Sequence, residues 1–130
     1  MTNTAIEAVE KRKILIFEDE DSMQTILSAA LMPEKFHLKF VSKRSIGDLN
    51  RFDPEIILLD HSSAPLFTEQ NLCEKIKEFF PSVPLIVISA YPLNNFGSYN
   101  DYMDLFIAKP FDLNHFLSCI SHFNKKIKPC

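Results

Sequence analysis

The chain predicts an open α/β fold, a five-stranded parallel sheet with helices on both faces. Three observations lead there. Four apolar runs, ILIF at 14–17, IILL at 56–59, LIVI at 85–88 and LFIA at 105–108, are continuous, as strands buried on both faces are. Segments with apolar residues at helical spacing lie between such runs, so strand and helix alternate along the chain. Each run also ends on a polar residue of a particular kind: Glu18 and Asp19, then Asp60, Ser89 and Lys109. Parallel strands deliver their C-terminal residues to one edge of the sheet, where open α/β folds bind ligands. Three carboxylates, a hydroxyl and an amine are therefore expected to converge in one shallow site.

Taken in order, residues 13–17 form the first, fully buried strand. Asp21 and Gln24 have the spacing of a capping box. Met23, Ile26, Leu27, Ala30 and Leu31 follow at helical intervals until Pro33 stops the helix. FHLKFV at 36–41 alternates loosely, and His37 and Lys39 put this second strand near an edge. Ser45 is placed to cap a short helix through Leu49 and Phe52, which Gly47 weakens. Pro54 introduces the third strand, 55–59. After the loop HSSAPLF, Thr68 is placed to cap a helix carrying Leu72, Ile76, Phe79 and Phe80; Pro81 ends it and Pro84 opens the fourth strand. The stretch 91–103, YPLNNFGSYNDYM, is interrupted by Pro92, Asn94, Asn95 and Gly97, and a short or frayed helix is the expectation there. The fifth strand takes in 104–108. Asp112 caps a last helix bearing Leu113, Phe116, Leu117 and Ile120. The division is an N-terminal tail at 1–12, one domain at 13–124 and a C-terminal tail at 125–130.

A length of 130 residues, 46% of them apolar and 24% charged, suits a single domain with a proper core. A net charge of −3 argues against a general nucleic-acid or anionic-membrane binder. The basic residues cluster only at Lys11, Arg12 and Lys13 and at Lys125, Lys126 and Lys128, where solvation of the chain ends accounts for them. The segment MTNTAIEAVEKRK has no apolar stretch of signal-peptide length, and no run approaches the roughly 18 residues of a membrane span. Three cysteines without CxxC spacing point to a reduced, cytoplasmic setting. Cys73 and Cys119 fall on apolar helix faces as buried structural thiols; Cys130 is expected to be exposed.

The strand ends carry the chemistry. Glu18, Asp19 and Asp60 lie close together if the first and third strands are neighbours, and like charges so placed repel. A hard divalent cation such as Mg²⁺ (or Mn²⁺) relieves that repulsion through oxygen ligands. Solvated acids at a helix entry are the plain alternative for EDED at 18–21. Asp60, held rigidly at the end of an apolar strand, can attack phosphorus and form an acyl phosphate. Metal, Lys109 and the Ser89 hydroxyl would neutralise the charge on the phosphoryl oxygens. His61 follows Asp60 and has the chemistry of a general base, but strand alternation turns it away from the Asp60 side, which favours a packed histidine.

This set resembles the receiver domain of two-component response regulators over residues 13–124. The motifs are ILIFEDED for the acidic pocket, PEIILLD for the phosphoacceptor, PLIVISA for the switch hydroxyl and DLFIAKPF for the lysine. The resemblance implies a flavodoxin-like sheet order of 2-1-3-4-5. It implies Asp60 as the phosphorylated residue and Asp19 as the direct metal ligand. Glu18 would bind the metal through water, and the Ser62 backbone carbonyl would complete its shell. Ser89 would move onto the phosphoryl group, Phe106 would hold the switch aromatic position and Lys109 would bind the phosphate. The Lys109–Pro110 bond would be cis. Ser62 and Tyr91 occupy positions that tune phosphoryl lifetime, Tyr91 either shielding the acyl phosphate from water or packing on its loop. The chain departs from the family's pattern in HSSAPLFTEQ, where Pro65 comes one position late and no glycine occurs, and in the irregular 91–103 segment. Phe96, Tyr99 and Tyr102 there either form a partner-binding patch or fill the core beside a distorted helix.

The expected function is that of a stand-alone, bacterial-type response regulator without an effector domain. A histidine kinase or a histidine phosphotransfer protein would donate to Asp60, and a downstream protein effector would read the 91–123 face. Self-phosphorylation and dephosphorylation would be its only chemistry, so it would not be an enzyme. The alternative is a receiver-like module that binds a partner without being phosphorylated. An aspartate-dependent phosphohydrolase would need a second acid where Ser62 stands. A flavodoxin would need a phosphate loop where the acids follow the first strand.

Overall fold

The computed structural model describes residues 12–32, 36–42, 52–61, 66–90 and 102–123. In chain order the elements are β1 (Lys13–Phe17), α1 (Asp21–Leu31), β2 (His37–Val41), β3 (Ile56–His61), α2 (Leu66–Phe79), β4 (Leu85–Ser89), β5 (Leu105–Ala108) and α3 (Leu113–Phe123). The strands form one parallel five-stranded sheet in the order β2-β1-β3-β4-β5.

Successive strand residues point to opposite faces, so a continuous apolar run feeds two cores at once. Ile14, Ile16, Ile56, Leu58, Ile86, Ile88 and Ile107 meet Leu27, Ala30 and Leu31 of α1 and Phe116, Cys119 and Ile120 of α3 on one face. Leu15, Phe17, Ile57, Leu59, Leu85 and Val87 meet Leu72, Cys73 and Ile76 of α2 on the other. Each fully buried Ile or Leu contributes roughly 1.5–3 kcal/mol of transfer free energy. β2, exposed at His37 and Lys39, is an edge strand, as its looser pattern predicts.

Several element boundaries differ from expectation for local reasons. The N-cap of α1 is Glu20, not Asp21, and it makes no side-chain capping bond. Glu18 Oε2 accepts the Glu20 N–H at 2.9 Å, turning the chain into the helix one residue early. Gln24 then donates its side-chain amide to the Glu18 carbonyl at 2.9 Å instead of closing a capping box. α2 begins at Leu66, which puts Thr68 inside its first turn. β3 runs on through Asp60 to His61, because His61 stays in register with Ser89 of β4. β5 begins at Leu105: the Asp104 carboxylate instead accepts the Leu85 N–H at 2.8 Å and the Lys77 ammonium at 2.9 Å. Asp53 takes a left-handed conformation (φ 57°), which Asp tolerates, and turns the chain into Pro54 and β3. Asp112 flanks α3 as expected, its carboxylate accepting the Asn114 N–H and its carbonyl the Phe116 N–H.

Arg12 corrects the reading of the N-terminal basic cluster as simply solvated. It is half-buried, sits 5.2 Å from the Phe36 ring centroid, and donates to the carbonyls of Ile120 (3.1 Å) and Ser121 (3.0 Å) in the last turns of α3. A cation belongs at that negative end of a helix. Lys13 lies over the Phe52 ring at 5.8 Å. Cys73 and Cys119 are buried, as their helix faces predict. The expected Ser45 helix, Ser62 and its loop, residues 91–101 with Tyr91, Phe96 and Tyr99, and Cys130 lie outside the described residues. Tyr102 is half-buried and packs at the margin of the α2-side core, the core-filling alternative for that residue.

Candidate functional site

The site lies at the C-terminal edge of the sheet. Phe17 of β1 pairs with Leu59 of β3, so residues 18 and 19 leave the same edge as Asp60. Glu18 is 2% exposed; its N–H donates to the Val41 carbonyl at 3.0 Å, extending the β1–β2 ladder by one step. Asp19 is exposed.

Asp60 is 1% exposed, and Lys109 Nζ stands 2.6 Å from its Oδ1. Beyond that ion pair, neither carboxylate oxygen has a hydrogen-bond partner among the described residues. An ionised group is placed there only when something compensates its lost hydration, and here the ammonium does so. Lys109 is positioned by its backbone: its N–H donates to the Ser89 carbonyl at 2.8 Å, and the following Lys109–Pro110 bond is cis, as the resemblance implies.

Ser89 is fully buried at the end of β4. Its hydroxyl is joined to His61 Nδ1 by a 2.9 Å hydrogen bond, and His61 is also fully buried. The two residues are register partners and so share a face of the sheet, whereas Asp60 is in register with Ile88. The expectation that His61 faces away from Asp60 holds; its bond to the Ser89 hydroxyl is what sequence reasoning missed. Phe106, one β5 residue before Ile107, is half-buried against the α2-side core.

The structure thus brings Asp60 and Lys109 into contact and places Glu18 and Asp19 at the adjacent strand end. Ser89 is held toward His61. Among the described residues no group of three or more His, Cys, Asp or Glu side chains is gathered closely enough to hold a metal ion. In donor type the edge fits a hard cation: the candidate side chains offer carboxylate oxygens, and among the described residues the buried Asp60 oxygens have no polar partner other than Lys109.

No protein-family model matches the chain, and no curated protein does. Solved structures do. A CheY-like response regulator receiver domain protein from Methanospirillum hungatei superposes with a TM-score of 0.74 at 19% identity, covering 86% of this chain and 92% of that one. A response regulator protein, TrrA, from Thermotoga maritima, in complex with Mg²⁺ and BeF, gives 0.72 at 15% identity, covering 85% and 96%. A response regulator receiver modulated diguanylate cyclase from Pelobacter carbinolicus gives 0.66 at 26% identity, covering 85% and 89%. The chain has the CheY-like receiver fold, with the flavodoxin-like strand order. Among the described residues no helix is long and apolar enough to cross a membrane.

Proposed function

We propose that this chain is a phosphoacceptor receiver in which Asp60 takes a phosphoryl group from a histidine kinase or a histidine phosphotransfer protein. The observation that carries the reading is the buried Asp60 carboxylate with Lys109 at 2.6 Å and no other hydrogen-bond partner among the described residues. In the transfer, an Asp60 oxygen attacks phosphorus and the phosphorus–nitrogen bond of the donor phosphohistidine breaks. The donor ring, protonated on its second nitrogen, leaves with the bonding electrons as neutral imidazole. The acyl phosphate carries one more negative charge than the carboxylate did, and the Lys109 ammonium follows that charge onto a phosphoryl oxygen.

Mg²⁺ (or Mn²⁺) would be held by Asp60, Asp19 and the Ser62 backbone carbonyl, with Glu18 acting through water. Bound there, the ion would draw negative charge off the transferring phosphoryl oxygens. The complex of the structural neighbour TrrA with Mg²⁺ and BeF supports this reading. Ser89 and Phe106 would report phosphorylation to the 91–123 face, where a protein effector docks; Tyr91 and Ser62 would set the lifetime of the acyl phosphate. The chain acts in this reading as a signalling protein of the cytoplasm and not as an enzyme.

The test is site-specific. After incubation with acetyl phosphate and Mg²⁺, borohydride reduces an acyl phosphate to an alcohol, so the peptide containing residue 60 should carry homoserine there. Reduction at another carboxylate, or none, would overturn the assignment of Asp60.

A further inference from the structure

Position 61 holds a histidine whose ring reaches the one hydroxyl that the phosphoacceptor reading needs elsewhere. His61 Nδ1 and Ser89 Oγ are 2.9 Å apart, and both residues are 0% exposed. His61 and Ser89 are register partners at the ends of β3 and β4, and the Ser89 carbonyl accepts the Lys109 N–H. Where the hydroxyl points is set by the Ser89 side-chain rotamer. A serine has three staggered wells. The well occupied here aims the hydroxyl at His61, on the face of the sheet that Asp60 does not share.

We propose that His61 is a positioning residue that latches Ser89 away from the phosphoryl site, so that activation must first break a fully buried hydrogen bond. The inference rests on the phosphoacceptor reading of Asp60. Ser89 cannot bond to His61 and to a group on Asp60 at once, because the two lie on opposite sides of the strand pair. The latch lowers the population of the competent rotamer and thereby lowers apparent affinity for anything that requires it. A net hydrogen bond corresponds to roughly a two- to tenfold bias. Histidine suits the task because either ring tautomer can bond to a hydroxyl, which both donates and accepts.

The test measures binding of beryllofluoride with Mg²⁺, a non-covalent phosphoryl mimic, to the full chain and its variants by calorimetry. His61→Phe keeps a ring and deletes the bond, and should bind about two- to tenfold more tightly than the unsubstituted protein. His61→Asn, whose amide places a polar atom near the position of Nδ1, should stay close to the unsubstituted affinity. In a Ser89→Ala background the gain from His61→Phe should disappear. Equal affinities for His61→Phe and the unsubstituted protein would overturn the latch, as would an undiminished gain in the Ser89→Ala background. Absence of any binding by the unsubstituted protein would overturn the phosphoacceptor reading and the latch with it. Should His61→Phe fail to fold, the unsubstituted protein still decides: the ¹⁵N shift of His61 Nδ1 must move on beryllofluoride binding, and an unmoved shift overturns the latch.

Discussion

Replacing Lys109 by methionine should destabilise the protein more than replacing its partner. Lys109→Met keeps the aliphatic stem and removes the ammonium 2.6 Å from Asp60, stranding a carboxylate that is 1% exposed and has no other hydrogen-bond partner among the described residues. Leaving one member of a buried pair alone costs roughly 3–5 kcal/mol. The Lys109 side chain is 17% exposed, so water reaches the pair from one end and the expected loss falls to about 2–3 kcal/mol. For a chain of 130 residues that corresponds to a drop in Tm of roughly 7–12 °C. Asp60→Asn is the opposite case. It deletes the charge that water cannot reach and leaves a lysine that can extend into solvent, so its cost should be about 1 kcal/mol or less. The double substitution should recover most of the Lys109→Met loss, a coupling of about 1–2 kcal/mol between contacting residues. Calorimetric melts at pH 7 in chelator, on all four proteins, measure this. A Lys109→Met Tm within about 2 °C of the unsubstituted protein, or an Asp60→Asn loss as large as that of Lys109→Met, would refute the reasoning.

Other parts of the account are open to equally direct measurement. Arg12→Met keeps contact with Phe36 but deletes the donors to the Ile120 and Ser121 carbonyls, and should lower stability by about 1–2 kcal/mol in urea unfolding; Arg12→Lys should not restore it fully, since the forked geometry is lost. Asp104→Ala deletes the acceptor of the Leu85 N–H and one of two acceptors of Lys77, which keeps the Val83 carbonyl, and should cost about 1–2 kcal/mol, while Asp104→Asn, which keeps an acceptor for Leu85, should cost about half as much. Cys73 and Cys119, 0% and 1% exposed, should react with a disulfide reagent only at the rate of unfolding; fast modification of either in the native protein would contradict their placement.

The sheet was legible because burial on both faces removes the ambiguity of alternation. A run such as IILL has no polar position to face solvent, and its β-branched content with Pro54 ahead of it leaves a central parallel strand as the natural outcome. The residues after each run were legible for the same reason, since a strand end fixes where its side chain leaves the sheet. Asp60 meeting Lys109 across β4 follows from the strand order, which came from the resemblance and not from the spacing. The boundaries were less legible. Asp21 looked like an N-cap because acidic residues at 18–21 offer four rival positions, and the choice was made by the Glu18 side chain reaching the Glu20 N–H. Arg12 looked solvated because nothing local reveals that the C-terminal turns of α3 lie above it. The His61–Ser89 bond was invisible for a related reason. It depends on the β3–β4 register, and a shift of one residue would have set Ser89 beside Asp60 instead.

The central claim is that Asp60 is a phosphoacceptor, and intact-protein mass after incubation with acetyl phosphate or phosphoramidate and Mg²⁺ tests it most directly, with Asp60→Ala alongside. The account predicts a gain of one phosphoryl group, about 80 Da, on the unsubstituted protein and none on Asp60→Ala. No adduct on the unsubstituted protein, or an equal adduct on both, would contradict it.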